Sequence, residues 1–152
     1  INAFRGAGRR FEFLGEVNGV TIADDYAHHP AEIAQSVKSI RELYRDKKIT
    51  AIFQPHLYTR TRDFYHEFAD SLSLLDEVIL TDIYPAREQP IPGVSSRLIY
   101  DNLRPGIEKC MCRKEDILNL LEHKDIEVLI VLGAGDLDNY VPEITRLLEK
   151  RC

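Results

Sequence analysis

The run Asp24-Asp25-Tyr26-Ala27-His28-His29-Pro30-Ala31-Glu32-Ile33 sets two carboxylates, a phenol and two imidazoles within six residues, just ahead of a proline able to open a helix. Carboxylates and imidazoles are costly to bury, so a cluster of this kind faces water or a ligand. Three chemistries are open to it. His and Asp ligate zinc or iron, but adjacent His28 and His29 diverge and no familiar ligand spacing surrounds them. The same groups can serve as loop and helix cap. They can also contact a polar substrate or a nucleotide, which is the favoured reading. A second run, Phe53-Gln54-Pro55-His56-Leu57-Tyr58-Thr59-Arg60-Thr61-Arg62, adds His56 and Arg60. A guanidinium is a planar two-pronged donor suited to a carboxylate, and His56 can add one hydrogen bond. The plainer alternative is a surface ion pair of little energetic weight. Gly133-Ala134-Gly135-Asp136 is a weaker signal. It lacks the third glycine of a dinucleotide fingerprint and also reads as a tight strand-to-helix turn. The chain holds no G-x-x-x-x-G-K-[ST] loop and no Gly-Lys pair, so a phosphate cradle of the usual kind is missing.

The elements that must position these groups follow from periodicity. Phe11 to Val17 and Val20 to Ala23 read as strands joined at Asn18-Gly19, a strong two-residue hairpin signal. Pro30 suits a first helical turn. Ile33, Val37, Ile40 and Tyr44 then recur on one helical face. Lys48 to Phe53 is a β-branched strand, and the helix after it carries Phe64, Phe68, Leu72 and Leu75 on one stripe. Glu77 to Thr81 is a strand, followed by the proline-rich loop Pro85 to Pro92, which carries charges within Arg87-Glu88-Gln89. Ser95 or Ser96 can cap a short helix running to Asn102. Ile107 to Cys112 is a short strand, Glu115 to Glu122 a helix, Val128 to Leu132 a strand buried on both faces, and Tyr140 to Lys150 a last helix. Strands alternating with helices imply an α/β domain: a Rossmann-like, three-layer architecture whose sheet is mostly parallel and is entered through an N-terminal antiparallel β-hairpin. Ligands of such folds bind beyond the carboxyl ends of the strands. Tyr26, His28 and His29, then His56 and Arg60, then Asp82 and Tyr84, and finally Gly133 and Gly135 all follow strands, so all are expected at one sheet edge.

Composition narrows the function classes. At 152 residues the chain is long enough for one domain with a real core. Its 44% hydrophobic and 30% charged content is that of an ordinary soluble domain. A net charge of −5 without a basic stripe argues against nucleic acid or an anionic membrane as main partner. No apolar run approaches a membrane span and no signal peptide is evident, so a cytoplasmic location is expected. Cys110, Cys112 and Cys152 fit no zinc spacing, and Cys110 and Cys112 read as core packing on one face of a strand. Residues 1–10, ending in Gly8-Arg9-Arg10, read as an interdomain linker remnant and residues 11–152 as the domain.

Five ordered stretches together resemble the C-terminal domain of the bacterial Mur ligases: Arg9-Arg10-Phe11-Glu12, Asp24 to Ile33, Phe53 to Thr61, Asp82 to Ser96 and Gly133 to Asp136. Pro85 to Gly93 looks most like the family's alanine-adding branch. The resemblance implies an ATP-dependent ligase of cell-wall peptide synthesis, in which L-alanine attacks an acyl phosphate formed on UDP-N-acetylmuramate. The P-loop and Mg²⁺ would then belong to a central domain outside this chain, which alone would fold without catalysing. Carried onto this sequence, it puts Asp25 on the ATP ribose, Arg10 near the phosphates and Tyr26 beside the small side chain of alanine. His28, His56 and Arg60 would line the amino-acid site, with Arg60 on the carboxylate. Leu57 departs from the pattern, since many alanine-adding members carry arginine there. The alternatives are a ligase that attaches a preformed tripeptide to the same sugar acid, a stand-alone nucleotide-binding or regulatory module, and a metal-dependent phosphoesterase built on Asp24, Asp25, His28 and His29.

Overall fold

A computed structural model describes residues 12–17, 20–25, 29–133 and 137–150. Its sheet has six strands: β1 (Glu12–Val17), β2 (Val20–Asp25), β3 (Ile49–Phe53), β4 (Glu77–Leu80), β5 (Glu108–Met111) and β6 (Val128–Leu132). Their spatial order is β1-β2-β6-β3-β4-β5. β1 runs antiparallel to β2, with a register irregularity between Phe13 and Gly15, and Asn18-Gly19 lies outside the described residues. All other pairings are parallel.

Every residue of β3, β4 and β6 is buried. Strands buried on both faces need cover on both faces, and parallel strands need crossovers that supply it. One face is covered by α1 (Pro30–Leu43), α2 (Tyr58–Leu72) and α3 (Arg97–Asp101), whose Ile33, Val37, Ile40, Phe68, Leu72 and Ile99 form one core with Ala51 and Phe53. The other face is covered by α4 (Ile117–Glu122) and α5 (Val141–Lys150), whose Ile117, Leu121, Ile144 and Leu148 pack with Ile52 and Val131. Three layers result, as the alternating pattern implies. A 3₁₀ turn precedes each of these last two helices, Lys114–Asp116 and Leu137–Tyr140.

Several local expectations are corrected. The inward stripe of α2 is Thr61, Tyr65, Phe68 and Leu72 rather than one beginning at Phe64. Phe64 breaks helical geometry at φ −128°, ψ 16°, the site of a kink, and stays 37% exposed. At α3, Ser95 Oγ accepts the Arg97 N–H at 3.1 Å, while the Ser96 hydroxyl donates instead to the Thr81 carbonyl. β5 is two residues shorter than expected. Cys110 and Cys112 are half-buried and pack on the second core, where burial pushes the Cys112 thiol up to about 11. A thiol so protonated is a poor nucleophile, in keeping with a packing role.

Two features tie the layers together. At the amino end of the sheet, Glu77 is 1% exposed and accepts from Thr50 Oγ1 at 3.1 Å, Lys48 Nζ at 3.4 Å and Lys124 Nζ at 2.5 Å. Burial opposes its ionisation, but the Lys124 and Lys48 ammonium groups and the Thr50 hydroxyl outweigh it and hold the carboxyl below its ordinary value. At the carboxyl end, Gly133 sits at φ +141°, and a Cβ there would lie 2.9 Å from the Gln54 carbonyl oxygen. Glycine is the residue that permits β3 and β6 to leave the sheet this close together.

Each feature gives a test. Lys124→Met should destabilise the chain by about 1.5–3 kcal/mol at neutral pH, the weight of a hydrogen bond to a charged group. Because the folded Glu77 value is depressed, its stabilisation is complete above the unfolded value near 4.3 and is lost as pH falls through the folded one. The gap between wild type and variant in urea unfolding should therefore narrow below about pH 4, and a gap that is constant with pH contradicts the assignment. Gly133→Ala should cost about 1–3 kcal/mol, the range for a strained backbone position. It should also cost more than Gly106→Ala, where φ is +93° but nothing lies within 4 Å of the added methyl. Equal costs would show that the Gln54 contact is unimportant.

Candidate functional site

The carboxyl ends of the central strands are aligned. Asp25 pairs with Leu132, Leu132 with Phe53, and Phe53 with Leu80. The connection leaving β3 goes to the face of α1 and α2, whereas the one leaving β6 goes to the face of α5. Neighbouring strands whose exits diverge in this way open a crevice, the usual ligand position of such sheets. Gln54 spans it. Its backbone N–H donates to Leu132 O at 3.2 Å and its buried side-chain Oε1 accepts the Leu137 N–H at 3.1 Å, so the exits of β3 and β6 hold each other in place.

Beyond Gln54 the segment joins the exit of β4. Tyr84 N–H donates to Pro55 O and Leu57 N–H donates to Tyr84 O, both at 2.8 Å, an isolated parallel bridge between His56 and Tyr84. The two rings stack with centroids 5.6 Å apart and planes at 17°. Arg60, one helical turn on, lies with Nη1 3.1 Å from His56 Nδ1. Arginine only donates, so Nδ1 carries the lone pair and the ring proton sits on Nε2. Among the described residues no carboxylate pairs with Arg60, which leaves its planar donor edge suited to a carboxylate ligand.

The loop after β4 closes this cluster. A turn at Pro85 to Glu88, shut by Glu88 N–H to Pro85 O at 2.8 Å, carries Ala86 at φ +55°. It returns the Glu88 carboxylate to the start of α2. There Oε1 accepts Tyr58 N–H at 2.6 Å and Thr59 N–H at 3.1 Å, and Oε2 accepts the Thr59 hydroxyl. A carboxylate at a helix N-terminus satisfies donors without an intrahelical partner and opposes the helix dipole. The Thr59 hydroxyl first, with the two amides, holds the Glu88 carboxyl below its ordinary range. Leu57, the N-cap, sits at φ +75°, and among the described residues only Leu57 and Ala86 are non-glycine residues at positive φ. Both flank this carboxylate.

Of the residues expected here from sequence, the structure brings His56 and Arg60 into direct contact and sets Tyr84 against them. Asp25 ends β2 at the same edge, with β6 between it and β3. Arg10, Tyr26 and His28 lie outside the described residues. His29 is exposed as the N-cap of α1, its backbone N–H donating to Glu32 Oε1 at 3.2 Å and its ring centroid 6.2 Å from that of Phe64, the planes at 71°. Sequence reasoning missed the role of Glu88. It lies about 30 positions from its partners and no periodicity links them.

Residues 9–136 match the family described as Mur ligase, glutamate ligase domain. A UDP-N-acetylmuramate--L-alanine ligase of Phocaeicola vulgatus is 72% identical over 149 residues, spanning 98% of this chain and 32% of that protein. The chain thus spans about a third of the length of the curated relatives it matches. A UDP-N-acetylmuramate-alanine ligase from Thermotoga maritima superposes with a TM-score of 0.72 at 27% identity, over 91% of this chain and 29% of that one. A murein peptide ligase from Psychrobacter arcticus reaches 0.76 over 94% of this chain and 30% of its own, at 18% identity, which speaks for the fold alone. The matched residues run from the start of the sheet to the exit of β6 and include the whole His56–Arg60–Tyr84 cluster: the chain belongs to the Mur ligase family.

Proposed function

We propose that this chain is the C-terminal, amino-acid-binding part of an ATP-dependent ligase that joins L-alanine to UDP-N-acetylmuramate. The observation that carries the reading is the 72% identity, over 98% of the chain, to a protein of that name. In this reading Arg60 takes the carboxylate of L-alanine and His56, aligned by Tyr84, adds a hydrogen bond. Anchoring the carboxylate leaves the amino group as the end offered to the activated acid. Asp25, at the edge shared with β6, would bond the nucleotide ribose. Arg10, Tyr26 and His28 keep the roles that the resemblance implies. ATP supplies the activation of the sugar acid's carboxyl group as an acyl phosphate. The resemblance and the lack of a G-x-x-x-x-G-K-[ST] loop in this sequence support assigning Mg²⁺ to other parts of the ligase.

A tripeptide-attaching ligase is the second reading, since the resemblance implies that this branch shares much of the Asp24 to Pro30 pattern. Steady-state assays with both acceptors separate the two. L-alanine should be used efficiently by the full-length ligase and L-Ala-γ-D-Glu-meso-diaminopimelate poorly, and the reverse order overturns the choice. Arg60→Ala should raise the KM for L-alanine by an amount worth about 1.5–3 kcal/mol, that of a charged hydrogen bond, with the KM for ATP nearly unchanged. An unaltered response to alanine would remove Arg60 from the site. The 152-residue chain alone should turn over no ATP with UDP-N-acetylmuramate, Mg²⁺ and L-alanine.

A further inference from the structure

We propose that Glu88 is the positioning residue of the amino-acid site: its carboxylate bolts the loop after β4 onto the N-terminus of α2 and so fixes where His56 and Arg60 present their donors. The inference rests on the proposed function for the chemical role of that cluster, but its structural half does not.

The geometry carries it. His56 and Arg60 are set by one segment, the exit of β3 and the first turn of α2. Tyr84, against which the His56 ring stacks, belongs to another, the exit of β4. The bridge between them is a single pair of backbone hydrogen bonds, Tyr84 to Pro55 and Leu57 to Tyr84. The Thr81 N–H to Phe53 O bond ties the strand ends beneath it, and a laterally displaced contact further limits rotation of one segment against the other. Glu88 is that contact, binding Tyr58 and Thr59 just after Leu57. It also explains why each segment holds a non-glycine residue at positive φ. Leu57 and Ala86 are the turning points that bring the carboxylate and the helix end face to face, and backbone strain persists only where the surroundings over-determine it.

A second consequence concerns the ligand. The first amides of a helix are a ready anion site. Here two of them, with a hydroxyl, already serve an internal carboxylate. A substrate carboxylate is thereby directed to the side-chain guanidinium of Arg60, the next residue of the same first turn, and not to the helix-end amides.

The test has two arms. In the 152-residue chain, NMR of Glu88→Ala should move the Tyr58 and Thr59 amide protons upfield as their acceptor is lost, and should shift the His56 ring protons as stacking on Tyr84 loosens. Glu88→Gln, which keeps an acceptor oxygen, should fall between the two, and Thr59→Val should shift in the same direction as Glu88→Ala. In the full-length ligase Glu88→Ala should raise the KM for L-alanine by roughly tenfold, the scale expected when a positioned group is displaced without being removed. kcat and the KM for ATP should stay near wild type, and Glu88→Gln should recover part of the loss. Folded Glu88→Ala with wild-type His56 ring signals overturns the proposal, and so does a fall in kcat with no change in the alanine KM. His56 signals that move while alanine kinetics do not would uphold Glu88 as the positioning residue and overturn the assignment of this cluster to the amino acid.

Discussion

Ile49–Phe53 and Val128–Leu132 lie side by side, each buried along its full length and on both faces. Two neighbouring strands without a wettable face must be roofed twice, and a chain with right-handed crossovers does this only by sending their exits in opposite directions. The crevice between those exits is therefore a by-product of burial. Its tightness is set by Gly133, whose missing side chain lets β6 pass the Gln54 carbonyl, and by the Gln54 amide that reaches across to Leu137. Whatever binds at this edge meets a frame already held by the core beneath it.

The polar groups above that frame are organised by a different principle. Main-chain bonds, a helix N-terminus and one carboxylate fasten the loops after β3 and β4, beside the buried Ile83 and the His56–Tyr84 stack. Such contacts are directional. They leave His56 with a defined ring nitrogen toward Arg60 and keep the guanidinium without a carboxylate partner among the described residues. At the opposite end of the sheet the same chemistry does the reverse. Glu77 is buried and its charge is met by Lys48, Lys124 and Thr50. The two ends therefore differ: a carboxylate met on several sides at one, and at the other a guanidinium with no carboxylate partner among the described residues.

Most of the layer architecture was legible because it rests on local periodicity. The β-branched run at Ile49–Phe53 and the apolar run at Val128–Leu132 are readable as they stand, and the edge they define follows from topology. Legibility failed where the outcome depends on distant partners. Phe64 obeys a helical stripe in sequence yet stays 37% exposed at the kink in α2, while Thr61 is fully buried. Ser96 has the chemistry of a cap but is taken by the Thr81 carbonyl. Glu88 looks like an ordinary loop charge until the turn at Ala86 brings it to α2. His56 and Arg60 were legible at spacing i, i+4, whereas Tyr84 was placed only at the same edge, and its stack on His56 appears once β3 and β4 are adjacent.

The central claim is that the exit of β3 presents one guanidinium to the carboxylate of the incoming amino acid. A crystal structure of the full-length ligase with UDP-N-acetylmuramate, a non-hydrolysable ATP analogue and L-alanine tests it most directly. The alanine carboxylate should lie within hydrogen-bonding distance of Arg60 Nη atoms, with the Glu88 carboxylate still on Tyr58 and Thr59. A carboxylate bound elsewhere, with Arg60 making no contact to the amino acid, would contradict the account.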